Sequence, residues 1–479
     1  MAEPFCIHTF ASLTQMKYLE SDAGGRVLLV AGGAVLGTAL SDGDGGVRQY
    51  SIPGEASCVA VASAGKFVFG AFSSKEICCW DAASGEVLGT HTLKKKAMCI
   101  AYAQFEGKDV VIVADRAGEV WFIGAPLMKG SICVGGHTAS VITDLLAMDK
   151  WVVTADRDEK IRVSRFPQSA LIQSYCLGHT SVVSSVCGFE MRLATSPPTT
   201  TLFLASSSWD HQVCLWELET GRCCGSLRIG GEQVVGSSAA VGAKGEAEVE
   251  AEAGGEGEGD GEENDEAEKD YDEQRAGDYP FRCLAQPLPD GRVLVVVLRR
   301  GQSVVQGFLA SPVSGALQPT FTFGPPFSWT APNLPVDMAL VPSAAGAPAA
   351  LAVLLPSPHY VVVLSCETAG SHPTFTSSTS SAHLLLSSAY GSILKSLVPG
   401  GVAFAQQATV TDSTGDGQQN TGHILAKHSL DRPFNKLTGV AATGPGGRTG
   451  TGGHRGRKRP LDSVGVDKQA VLQALENGV

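Results

Sequence analysis

A chain of 479 residues exceeds one average domain, and with hydrophobic residues at 43% it can bury a sizeable core. Its formal net charge of -12 is local: of the 48 acidic residues, 15 lie between Glu246 and Glu273 with Lys269 as the only base, leaving 33 acids against 35 bases elsewhere. The folded part is therefore near neutral, and with no run of 18 apolar residues the composition excludes a membrane-spanning helix.

Met1 to Ser12 has no basic region followed by an apolar stretch, which argues against secretion. Phe5 to Ala11 reads as an early strand that could complete the last unit of a closed β-architecture. From there, runs of β-branched and aromatic residues recur between turn residues. They are Arg26 to Ala31, Lys66 to Phe72 with Glu76 to Trp80, Val110 to Val113 with Val120 to Ile123, and Trp151 to Thr154 with Ile161 to Ser164. Leu202 to Ser206 with Val213 to Trp216, Arg292 to Leu298, and Leu351 to Leu355 with Tyr360 to Leu364 complete the series. Seven such units at about 40 to 45 residues each account for about 300 residues, the size of a seven-bladed β-propeller. An irregular β-sandwich is the competing all-β arrangement.

Two units carry the dipeptide punctuation of a WD repeat. Gly136-His137 is followed by Asp158, 21 residues after the histidine, and Gly178-His179 by Asp210, 31 residues after it, and then Trp216. Each histidine is expected to bond to the aspartate of a later hairpin turn, with the tryptophan packed over the cluster. The longer spacing suggests a loop insertion around Ser196-Pro197-Pro198-Thr199. Other units are diluted: Ser74 or Lys75 stands where the turn aspartate would be, and Asp115-Arg116-Ala117-Gly118 replaces it in the next.

The domain plan is five blades and the closing strand in residues 1–243, a disordered acidic insertion at 244–278, blades six and seven at 279–405, and a flexible tail at 406–479. The insertion reads as a solubilising loop or as a stretch that keeps nucleic acid off one face. The tail contains the basic cluster His454 to Pro460, suited to nuclear import, to phosphate contact or to no more than solvation, and Val466 to Asn477 could form a short helix. No C-x-x-C pair occurs among the 13 cysteines, and Cys78, Cys79 and Cys214 sit within apolar strands, so they read as small buried hydrophobes of a reducing compartment.

No catalytic set emerges. Gly32-Gly33 opens no helix and lacks a following Lys-Ser or Lys-Thr, so it reads as a β-turn rather than a phosphate loop, while His137 and His179 already have structural partners. The dense charge at Asp156 to Arg162 is different. Alternation puts Ile161 and Val163 on one face and Lys160, Arg162 and Ser164 on the other, where Arg162 could pair with the acidic turn. Asp158 fits the structural turn aspartate. Its neighbours suit either a solvated hairpin tip or a docking edge for a charged partner, and residue chemistry alone leaves the two open.

Val153 to Ser164, with Tyr175-Cys176-Leu177-Gly178-His179-Thr180 beyond it, closely resembles the WD-repeat, non-catalytic subunit of the tRNA (guanine-N7-)-methyltransferase. Val113 to Val120 is similar to that family's preceding blade, and the close likeness runs from about Val110 to Trp216. The resemblance implies a heterodimer in the nucleus. In it, a separate catalytic subunit binds S-adenosylmethionine and methylates a variable-loop guanosine of tRNA, while this chain binds no cofactor or metal and stabilises and activates that subunit. It further implies that Asp158, Glu159 and Arg162 make or organise the contact, with Arg157 and Lys160 beside them and Arg162 ordering the two acids. tRNA would be reached mainly through the complex. The alternative is a substrate adaptor of a cullin-type ubiquitin ligase, but Trp80-Asp81-Ala82-Ala83 and Trp209-Asp210-His211-Gln212 lack the arginine of a Trp-Asp-x-Arg signature. A central-channel enzyme has no residues in its favour.

Overall fold

The computed structural model describes residues 16–19, 26–31, 34–39, 48–50, 56, 58–137, 140–193, 199–230, 278–313, 316, 318–341, 349–355, 361–368, 373–377, 469 and 471–473. They build seven antiparallel sheets, each a meander of consecutive strands. Blade one comprises Met16–Leu19, Arg26–Ala31, Ala34–Ala39 and Arg48–Tyr50, and blade two Cys58–Ala64, Phe67–Phe72, Glu76–Asp81 and Val87–Thr92. Blade three is Ala97–Phe105, Lys108–Asp115, Glu119–Gly124 and Lys129–Gly136, and blade four Ile142–Met148, Trp151–Asp156, Ile161–Arg165 and Ile172–Cys176. Blade five follows with Val183–Leu193, Thr199–Ser208, Gln212–Glu217 and Arg222–Arg228. Blade six has Pro280–Pro287, Val293–Arg299 and Val304–Pro312, then an outer edge split into Phe321–Phe323 and Phe327–Thr330. The split falls at Gly324-Pro325-Pro326, where two prolines supply no N–H to a ladder. Blade seven is Asp337–Val341, Ala349–Leu354, Val361–Glu367 and Thr374–Ser377.

The first strand of every blade lies beside the first strands of its two neighbours, so the seven form the inner ring of a β-propeller. Each of the six described apolar clusters fills a seam between adjacent blades. Leu28, Val30, Val68, Phe72 and Trp80 join blades one and two, for example, and Val153, Ile161, Leu204, Cys214 and Trp216 join blades four and five. Blades are thus held to each other by buried apolar area rather than by shared ladders.

Ring closure brings the first and last blades side by side. Blade seven supplies all four of its own strands, and the earliest described strand, Met16–Leu19, pairs with Leu29 to Arg26 inside blade one while lying against Asp337–Val341. Among the described residues, blades one and seven meet by contact, with no strand shared. The segment Phe5 to Ala11, proposed for that role, lies outside the described residues, as do the acidic stretch Glu246 to Glu273 and the basic cluster His454 to Pro460. Of the expected C-terminal helix, Gln469 and residues 471–473 are helical, and Val471 is fully buried in the seam between blades three and four.

The long spacing from His179 to Asp210 is only partly a loop. Strands Val183–Leu193 and Thr199–Ser208 extend the ladder as far as Leu193 opposite Thr199, so most of the extra residues lengthen a hairpin. Cys78, Cys79 and Cys214 are buried as expected, and all described cysteines are free thiols. No helix among the described residues is long and apolar enough to cross a membrane.

Candidate docking site on blade four

The hairpin joining the second and third strands of blade four begins where burial ends. Trp151–Asp156 is buried at every position, and Thr154 and Ala155 pair with Arg162 and Ile161 across the ladder. Between them the Asp156 amide donates to the Lys160 carbonyl at 3.0 Å, closing a tight turn. Glu159 takes the left-handed conformation there, with φ of 70°. The same turn position holds Lys75, Gly118 and His211 in blades two, three and five, at φ of 74°, 79° and 64°. The turn geometry therefore repeats around the ring while its chemistry changes.

His137 sits beneath this turn. Its Nδ1 lies 2.7 Å from Asp156 Oδ2 and its Nε2 2.6 Å from Thr154 Oγ1, while Asp156 Oδ1 accepts the Lys160 amide at 2.9 Å. Asp158 was expected to be this partner, and the structure corrects it to Asp156. Asp210 directly precedes the left-handed residue of its turn, but Asp156 stands three residues before Glu159, as Asp115 does before Gly118. The signal was present as a repeat, Ala114-Asp115-Arg116 in blade three and Ala155-Asp156-Arg157 in blade four.

Blade five follows the expected pattern. His179 Nδ1 is 2.9 Å from Asp210 Oδ2, its Nε2 is 2.7 Å from Ser206 Oγ, and Trp216 Nε1 donates to that same Ser206 Oγ at 2.7 Å. The Trp216 ring meets the imidazole edge to face at 5.9 Å. Burial alone would push the Asp210 carboxyl up, but the hydrogen bond and charge of His179, with the Thr180 and Gln212 amides, bring it below its ordinary value of 3.8. A carboxyl lowered by folding stabilises the fold above its unfolded pKa, and that contribution disappears as pH falls through the folded value. We expect Asp210→Ala to lower the melting temperature at neutral pH and to narrow its gap from wild type as the solution is acidified below about pH 4. Thermal denaturation across pH checks this, and a partner-binding defect without loss of melting temperature would contradict a purely internal role.

The five charged residues of the blade four hairpin divide into two groups. Asp158 has 41% of its side chain exposed, Glu159 is exposed at the tip, and Lys160 is half-buried with Nζ donating to the Asp158 carbonyl at 3.1 Å. Arg157 and Arg162 are turned inward. The Arg157 side chain is 4% exposed, its Nε lies 3.8 Å from Asp158 Oδ1, and neither Nη atom has a hydrogen-bond partner among the described residues. Arg162 donates from Nη1 to Gly136 O at 2.5 Å, from Nη2 to Ser169 O at 2.8 Å and from Nε to Ser164 Oγ at 3.0 Å, and burial lowers its pKa. The expectation that Arg162 orders Asp158 and Glu159 is therefore corrected: it braces the end of strand Lys129–Gly136 and the loop after Arg165. Ile161 and Val163 are fully buried on the opposite face, as alternation requires.

Beside the acidic tip runs an apolar edge that residue-by-residue reading missed. Tyr175 pairs with Arg162 across the ladder and is 40% exposed, and Leu177, just past the strand end, is 64% exposed. Leu171 and Ile172 at the other end of the same edge are exposed as well. Large exposed apolar residues strung along one outer edge are of the kind that protein-binding surfaces present. Sequence conceals it because Leu177 reads as part of the Gly178-His179 punctuation. Among the described residues no group of three or more His, Cys, Asp or Glu side chains is placed to hold a metal ion.

Residues 130–250 match the family model described as the tRNA methyltransferase TRM82 WD40 domain, a stretch that contains this whole hairpin and its outer edge. The chain is 36% identical over 141 residues to the tRNA (guanine-N(7)-)-methyltransferase non-catalytic subunit wdr4 of Danio rerio, covering 29% of this chain and 32% of that protein. Against the subunit WDR4 of Homo sapiens it is 33% identical over 144 residues, with the same two coverages. Against the subunit TRM82 of Eremothecium gossypii it is 31% identical over 134 residues, covering 26% and 27%. The likeness thus spans about a third of the length of these curated relatives or less. The resemblance read from the hairpin residues is borne out over that stretch. Among solved structures, a chain of "Crystal Structure of Mitotic Checkpoint Complex" aligns with a TM-score of 0.50 at 13% identity, over 74% of this chain and 89% of that one, which shows the propeller fold alone.

Proposed function

We propose that this chain is the non-catalytic subunit of a tRNA (guanine-N7-)-methyltransferase, and that it docks its catalytic partner through the Asp158–Glu159 tip and the apolar edge of Tyr175 and Leu177. The reading is supported by the matched stretch, which falls on blades four and five, and it is carried by one observation. A turn pinned from within by His137 and Asp156 presents two exposed carboxylates beside exposed apolar side chains. Such a surface is preorganised. The turn needs no ordering on association, the carboxylates speed encounter with a basic patch, and the apolar edge supplies area to bury.

In this reading the partner binds S-adenosylmethionine and forms N7-methylguanosine in the tRNA variable loop. The propeller contributes by stabilising the partner's active shape in a heterodimer, which we place in the nucleus on the strength of the basic cluster Arg455 to Arg459.

Glu159 offers a test that separates docking from folding. Lys75 occupies the same turn position in blade two with nearly the same φ, so Glu159→Lys is tolerated by the fold. Glu159→Gly also removes the carboxylate and relieves left-handed strain, raising stability by up to about 1 kcal/mol. Both substitutions are expected to weaken co-purification with the methyltransferase subunit, the charge reversal by about 2 kcal/mol or more, roughly 30-fold in Kd. Unchanged recovery of the partner with either variant would overturn the docking assignment.

A further inference from the structure

Cys214 and Cys223 stand on neighbouring strands of blade five, in Gln212–Glu217 and Arg222–Arg228. Cys214 is buried at 3% exposure, whereas Cys223 is exposed. The ladder brings them together through an irregularity. Leu215 pairs with Gly225 and Trp216 with Cys223, so Cys224 is an extra, bulged residue. A regular ladder would set Cys224 opposite Trp216 and turn Cys223 to the other side of the sheet. The bulge instead puts Cys223 on the Trp216 face, which alternation makes the Cys214 face also.

The two thiols are thus diagonal neighbours on one face of the sheet. A hydrogen bond from Cys214 brings the Cys223 thiol down to about 7, outweighing its partial burial and helped by the Gly225 backbone and the Arg222 guanidinium. The same bond, with burial, pushes Cys214 up. Other thiols differ: burial pushes Cys78, Cys79, Cys283 and Cys366 up to about 12. An exposed low-pKa thiol with a second thiol on the same face of the adjacent strand is the arrangement of a redox-reactive site rather than of a structural cysteine.

We propose that Cys214 and Cys223 form a hydroperoxide-reactive thiol pair that closes to an intrachain disulfide. The Cys223 thiolate attacks the distal oxygen of the peroxide, breaking the O–O bond and releasing alcohol or water as the leaving oxygen takes up a proton, to give a sulfenic acid. The Cys214 sulfur then attacks the Cys223 sulfur, expelling water as its own proton leaves. Two thiols are oxidised by two electrons and one hydroperoxide is reduced. Cys223, being exposed, has room to rotate as the sulfurs close to about 2.05 Å.

The experiment exposes the reduced full-length protein to hydrogen peroxide at pH 7, alkylates the remaining thiols and maps tryptic peptides by tandem mass spectrometry. Leu193–Arg222 is expected joined to Cys223–Arg228 with loss of two hydrogens, the link at Cys223 and Cys224 alkylated. In Cys214→Ala, which removes the donor, Cys223 is expected to react with iodoacetamide at pH 7 about sixfold more slowly, because the loss of thiolate fraction outweighs the higher nucleophilicity of a stronger base. That variant should also carry Cys223 on to sulfinic acid under peroxide, while Cys224→Ser should still form the link. A link through Cys224 or to another cysteine, or two peptides that stay separate after oxidation, would overturn the proposal.

Discussion

Asp156→Ala is expected to destabilise the propeller by about 3 kcal/mol, whereas Asp158→Ala, two residues away and chemically the same substitution, should cost about 1 kcal/mol. Asp156 is 1% exposed, and removing its carboxylate strips the His137 ring of its Nδ1 partner and the Lys160 amide of its acceptor in one step. A buried donor left unpaired carries its full desolvation penalty. The Asp158 side chain is 41% exposed, so water replaces most of what is lost, and the remaining cost is the 3.8 Å ion pair with the buried Arg157. Denaturant midpoints of the two variants measure the difference, and His137→Ala combined with Asp156→Ala should be strongly non-additive because the two residues share one bond. Binding should rank them oppositely when compared at a temperature where both are folded: Asp158→Ala weakens capture of the methyltransferase subunit more than Asp156→Ala does. If Asp158→Ala instead unfolds the hairpin and Asp156→Ala leaves it intact, the pinning role belongs to Asp158.

Arg162→Met should lower stability by roughly 2 to 4 kcal/mol, because three donors disappear and the Gly136 and Ser169 carbonyls lose their partner in a half-buried site. The Gly136 carbonyl cannot relax far to find another. A Cβ on Gly136 would stand 1.9 Å from the Gly118 carbonyl, so the backbone here already runs as close to the Gly118 turn of its own blade as chain contact allows. Arg162→Lys should recover only part of the loss, since one ammonium cannot reproduce three bonds made by a planar fork. Loss of partner capture in Arg162 variants is then expected to follow loss of stability and to return at lower temperature. In Glu159 variants capture should be lost with the melting temperature unchanged or raised. An Arg162→Met protein that melts like wild type yet fails to bind would place Arg162 in direct contact with the partner.

Much of the fold was legible in the chain for a definite reason. The second and third strands of the blades are covered on both faces by neighbouring blades, so they read as continuous apolar runs. Phe67–Phe72 is buried at all six positions and Val293–Arg299 at all but its last. The outer strands Val87–Thr92 and Ile172–Cys176 bury no residue and one residue respectively, and composition does not separate them from loops. The first strands, which line the ring, were missed for a related reason: Ile142–Met148 and Pro280–Pro287 mix polar and apolar residues because one side faces the channel region rather than a seam.

What the sequence by itself determined is the repeat, its count and the place of the charged turn, since apolar burial and turn chemistry are local properties of residue type. It could not choose between Asp156 and Asp158 as the partner of His137, because the two carboxylates are identical in kind and nearly so in position. That choice was made by the left-handed residue Glu159 and the depth of the strand end, which set one carboxylate against the imidazole and the other in water. The destination of Arg162 was likewise decided in three dimensions. Alternation gave its side of the sheet, but the Ser169 carbonyl, 7 residues away, reaches it only through the fold of blade four's own loop, and the Gly136 carbonyl, 26 residues away, only once blades three and four are packed together.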